Sequence, residues 1–177
     1  MINETLFHGS KRAGLLTLNA AASQNTVFGP AIYCTADRSV AAAQSRANVI
    51  YKVRVEGPEE GIIDFDRPLS DASPRASAAI QTFLRRYKLM SILDTEDDRV
   101  DFLQERAAAE LVRRGVEYPP KTLFNRIIAE EGVWLMRGEM HGSAKSGMVD
   151  RGIQWAVIDD RYLSILEQQP LHFERTG

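Results

Sequence analysis

The chain has little of several things. It holds one cysteine, Cys34, and three histidines in 177 residues. A single cysteine excludes an internal disulfide and fits a reducing compartment. The histidines and the cysteine show no metal-ligand spacing, so no metal is expected. The formal net charge is −2, so the molecule as a whole has no basic field to attract nucleic acid. No apolar run approaches the roughly 20 residues that cross a membrane. The N-terminus lacks the basic-then-apolar pattern of a secretory leader. No membrane partner is expected, and the expected site of action is the cytoplasm, of a host or of a target cell. There is no phosphate-binding loop, no dinucleotide glycine fingerprint, no internal repeat and no low-complexity tract.

What is present suits an ordinary core: 44% hydrophobic and 26% charged residues, in a length expected to form a single domain over 1–177. The first part reads as strand-rich. "TLFH" is a short apolar strand. "AIYCT" is a second, entered through the turn pair Gly29-Pro30. "DRSVAAAQSRA" suits a helix with Asp37 as N-cap. "VIYKVRVEG" alternates, with Val49, Tyr51, Val53 and Val55 on one face and Lys52 and Arg54 on the other. "GIIDFD" is a further short strand. From about 73 to 132 the period becomes helical. Ile80, Phe83, Leu84 and Tyr87 mark one helix. Val100, Leu103, Ala107, Leu111 and Val112 mark a second, ended by Gly115, and "KTLFNRIIAEEG" makes a third. The charges of "DTEDDR" read as a solvated face or loop. Strands return with "VWLMRG" and "IQWAVID", and "DRYLSIL" closes the pattern. Between those strands, "EMHGSAKSGMVDRG" is a long polar loop, which suggests function over simple connection. The order predicts an α+β fold with a mainly antiparallel core and a helical insertion.

Three strand-borne positions stand out: His8 in "LFHGS", Tyr33 in "FGPAIYCTADRSVAAA" and Gln154 in "QWAVID". Each alone is weak, since a histidine, a half-buried aromatic and a strand-edge amide are common structural residues. Taken in order, the three segments resemble those of the NAD-dependent ADP-ribosyltransferases of the diphtheria-toxin and poly(ADP-ribose) polymerase type. Those proteins carry a histidine-glycine-serine or -threonine strand and a phenylalanine-glycine-x-glycine-isoleucine-tyrosine stretch. Their third segment begins with glutamate. The resemblance covers the first 55 residues and about 127 to 165; the helical middle matches nothing in it.

The resemblance implies a split antiparallel core and NAD as co-substrate, held by His8, Gly9, Ser10 and Tyr33. His8 would bond the adenosine ribose, Gly9 would offer its backbone to the nicotinamide amide, and Tyr33 would stack on the nicotinamide ring. Gln154, in the glutamate's place, would accept from the ribose 2′-hydroxyl beside the cation that develops as nicotinamide leaves. An amide carries no charge, which implies mono-ADP-ribosylation without chain elongation, with Asp150 or Glu139 as an auxiliary carboxylate. The implied acceptor is a macromolecule, a protein in preference to RNA or DNA. The implied setting is a bacterial or phage toxin, conflict effector or inhibitor of a defence system such as CRISPR, with a possible cognate antitoxin or immunity protein. Two other outcomes stay open: a module that binds NAD or ADP-ribose without turnover, and an NAD glycohydrolase. Cys34 follows Tyr33 and is expected on the packed face, not as a nucleophile. A second "HGS" at His141-Gly142-Ser143 reads as coincidence or as part of a target-recognition loop.

Overall fold

The computed structural model describes residues 1–22, 28–44, 47–93, 98–139 and 152–171. Its strands are β1 (Ile2–Ser10), β2 (Ile32–Thr35), β3 (Val49–Gly57), β4 (Ile62–Asp64), β5 (Leu135–Glu139), β6 (Ile153–Val157) and β7 (Leu163–Pro170). Its longer helices are α1 (Arg38–Gln44), α2 (Pro74–Arg86), α3 (Val100–Arg113) and α4 (Pro120–Glu130). The strands form one seven-stranded sheet in the order β4-β5-β6-β2-β1-β3-β7. All pairings are antiparallel except β4 with β5. The fold is therefore α+β and mostly antiparallel. The parallel pair follows from connectivity: parallel neighbours need a long crossover, and α2–α4 supply it.

The helices start and stop where the local chemistry directs. Asp37 accepts from the Ser39 and Val40 amides at the head of α1. Ser73 accepts from the Ala76 amide at the head of α2, with Pro74 at the first helical position. The turns after α3 and α4 use Gly115 and Gly132 at positive φ. The closing segment is more than the sequence suggested. It becomes an eight-residue edge strand, β7, along β3, because Leu163 and Ile165 reach the core face beside Val55 and Val53.

The sheet is covered on both sides. On one face α2–α4 pack over Ala31, Met136 and Ala156, with Phe83 and Phe124 in edge contact at 4.9 Å. A smaller cluster of Ala41, Ala47 and Ile50, joined by Phe7, lies at α1. The other face carries Leu6, Cys34, Tyr51, Val53, Val55 and Trp134, with Leu18 and Ala20 of the segment after β1 upon it. The Tyr51 hydroxyl fastens that segment by donating to the Arg12 carbonyl and accepting from the Leu15 amide.

β1 pairs with β3 along its whole length, from Ile2–Gly57 to Ser10–Val49. With β2 it shares a single registered pair, Phe7–Thr35. The sheet thus has a seam. β4, β5, β6 and β2 lie on one side of it, and β1, β3 and β7 lie on the other.

Candidate functional site

The three strands that carry His8, Tyr33 and Gln154 are consecutive in the sheet, in the order β6-β2-β1, with β2 and β1 flanking this seam. Directly paired residues project to the same face, and successive residues alternate. Phe7 pairs with Thr35, Thr35 with Gln154, and Gln154 with Gly138. Gly9, Tyr33 and Gln154 therefore belong to the helix-covered face, with Gln154 one step along from the Tyr33–Ala156 pair. The same alternation puts His8, Cys34 and Trp155 on the opposite face. The three expected residues lie on three consecutive strands but do not share one side of the sheet.

His8 nevertheless reaches Tyr33. Its Nδ1 lies 2.8 Å from the Tyr33 carbonyl oxygen. A carbonyl only accepts, so Nδ1 carries the proton, and in the neutral ring Nε2 is left as an acceptor. Burial holds the His8 pKa below its ordinary value of 6.5, against the opposing effect of the Tyr33 hydrogen bond. The ring is half-buried and tilts against Tyr51 at 6.4 Å. Among the described residues Nε2 has no hydrogen-bond partner.

Tyr33 is fixed at its far end. Its hydroxyl donates to the Gly29 carbonyl at 2.6 Å and accepts from the Phe28 amide at 3.1 Å. Its ring lies nearly parallel to Phe28, at 12° and 6.4 Å between centroids. The expected "FG" turn thus serves as a clamp on the tyrosine. That turn is in turn held from the helical layer. Asn125 Nδ2 donates to the Phe28 and Pro30 carbonyls at 3.0 Å each, and Gln104 Nε2 to the Phe28 carbonyl at 3.4 Å. Sequence reasoning passed over both residues. The available signal was a polar residue on an apolar helix stripe: Gln104 among Val100, Leu103 and Ala107, and Asn125 beside Phe124 and Ile128.

The other expected residues fall as follows. Ser10 keeps its hydroxyl local, accepting from the Arg12 amide. Glu139 ends β5, exposed and paired with Ile153, so it alternates away from Gln154. It adds to the field of Asp101 and Asp66 that raises the pKa of Arg99 at the head of α3. Asp150 and the His141-Gly142-Ser143 copy lie outside the described residues. Cys34 is buried in the packed face, and burial pushes its thiol pKa far up, which suits a core residue. A separate polar crevice of about 330 Å³ opens at the β4 edge, beside the Asp64–Arg137 ion pair. It lies across β5 and β6 from Tyr33.

Among the described residues no group of three or more His, Cys, Asp or Glu side chains could hold a metal ion, and no helix is long and apolar enough to cross a membrane. No protein-family model, curated protein or solved structure matches the chain.

Proposed function

We propose that the chain is an NAD-dependent mono-ADP-ribosyltransferase that moves ADP-ribose to a macromolecular acceptor, a protein in preference to nucleic acid. The observation that carries the reading is the seam. A sheet joined by one rung between β1 and β2 is the form a split core takes; the histidine-glycine and tyrosine strands border it, and the glutamine strand lies next to the tyrosine strand, one strand away. NAD would lie along this seam, with nicotinamide on the Gly9 and Tyr33 side. His8 Nε2, an acceptor in the neutral ring, would take a hydrogen bond from a ribose hydroxyl. Tyr33 would stack on the nicotinamide. In the reaction the bond between nicotinamide nitrogen and ribose C1′ breaks, and the electron pair leaves with nicotinamide. The acceptor's lone pair forms the new bond at C1′, and its proton passes to solvent. Gln154 would orient the ribose 2′-hydroxyl through its amide oxygen beside the developing charge.

The amide at position 154 favours a second reading, an NAD- or ADP-ribose-binding module without turnover. Incubation with labelled NAD and a cell lysate separates the outcomes. Labelled macromolecule supports the transferase. Free ADP-ribose alone assigns a glycohydrolase. Binding by calorimetry with neither product assigns the module. The setting we propose, a bacterial or phage effector or defence inhibitor acting in the cytoplasm, is tested by identifying the modified partner by mass spectrometry.

A further inference from the structure

We propose that Asn125 and Gln104, from the helical insertion, are positioning residues for the Tyr33 ring. As a control on NAD binding, this rests on the reading of the seam as an NAD site; the hydrogen-bond chain itself does not. Three polar side chains are buried among the described residues: Thr35, Gln104 and Asn125, at 2%, 2% and 4% exposure. Two of the three converge on one carbonyl, that of Phe28. Burying an amide is costly unless it is hydrogen-bonded, and an apolar side chain would fill a helix–sheet contact without that cost. The chain has instead placed two donors behind a three-residue turn.

The path from the helices to the ring is short and continuous. Asn125 bonds the carbonyls of Phe28 and Pro30, on both sides of Gly29. Phe28 and Gly29 give their amide and carbonyl to the Tyr33 hydroxyl. Gly29 has φ +87°, and a Cβ there would stand 2.9 Å from Asn125 Nδ2 and from Lys121 Cβ. The turn therefore sits hard against α4, and the orientation of Tyr33 is set from α3 and α4 as well as from its own strand. Lys121 and Glu105, an ion pair between α4 and α3, tie the two donor-bearing helices together.

The test uses Asn125→Leu and Gln104→Leu, which keep bulk and remove the donor, with Asn125→Ala as a second variant should either fail to fold. The first readout needs no ligand. Amide hydrogen exchange at Phe28 should quicken by about two- to ten-fold, the worth of one hydrogen bond, while Val53 and Val55 in β3 stay protected. The second is NAD affinity by calorimetry in two backgrounds. Each donor variant should weaken NAD about two- to ten-fold in the natural chain and much less in Tyr33→Phe, which has no hydroxyl to place. Equal losses in the two backgrounds, or unchanged exchange at Phe28, overturn the proposal. If the natural chain binds no NAD, the functional reading fails, and the exchange readout still decides whether these residues hold the turn.

Discussion

Tyr33 uses its hydroxyl for the turn, so the work of the hydroxyl and the stacking proposed for the ring are separable by substitution. Tyr33→Ala should abolish measurable NAD binding with the fold retained, because ring stacking supplies both area and orientation. Tyr33→Phe should keep a good part of the affinity and lose about 0.5–1.5 kcal/mol of stability for the released turn bonds. Calorimetry and a melting curve on both variants check this; equal loss of binding in Ala and Phe would contradict the stacking role. Gln154 gives a complementary test. Gln154→Ala should slow transfer by roughly ten- to a thousand-fold, the range for one transition-state contact. Gln154→Glu adds charge beside a developing cation, so NAD hydrolysis should hold or rise while transfer to the native acceptor falls. Release of nicotinamide, followed with time, measures both. An Ala variant as active as the natural chain would move the third group elsewhere.

At the scale of elements, the helical layer has two surfaces with different consequences. Its inner surface meets the Phe28–Pro30 turn. Gly29→Ala should destabilise the protein by about 1–3 kcal/mol, since the residue holds φ +87° and the added Cβ meets Asn125 and Lys121. NAD affinity should fall in the same variant, and a denaturant titration run beside calorimetry reads both. The outer surface carries exposed pairs such as Arg86–Glu130. Such pairs contribute little, so Arg86→Ala should change stability by less than about 0.5 kcal/mol and leave NAD turnover intact, with any effect confined to acceptor modification. Most of these elements were legible in the sequence for plain reasons. The alternation of Val49, Tyr51, Val53 and Val55 has one solution, and Gly115 and Gly132 mark helix ends without ambiguity. β7 was not, because its Glu167, Gln168 and Gln169 break the apolar pattern of an edge strand that faces water.

For the whole molecule, the candidate site was legible as a set of strands and not as an arrangement. Motif spacing places His8, Tyr33 and Gln154 on strands. Only the pairing of Phe7 with Thr35 reveals that the histidine faces away from the other two. Register depends on long-range contacts that no local window contains. The same was true of the buried amides behind the turn, which are ordinary helix residues until the sheet is laid against them. One further property belongs to the folded state as a whole. Burial lowers the His8 pKa below 6.5, so on acidification the unfolded chain takes up a proton that the folded chain resists. The His8 contribution is present above pH 6.5 and is lost progressively as pH falls toward the lowered folded value. Unfolding free energies measured across that range should decline with acid in the natural chain and decline less in His8→Gln. Identical slopes would remove His8 from the acid response.

The seam between β1 and β2 also bears on how such a molecule changes over generations. A ladder of backbone bonds is indifferent to most substitutions, because every residue offers the same amide and carbonyl. Here, beyond the Phe7–Thr35 pair, a tie across the gap runs through an imidazole. Its length and strength are written in one codon. A point mutation at position 8 therefore removes or replaces that tie without a register shift. A lineage under pressure to tighten or loosen its grip on a ligand would find that adjustment one step away.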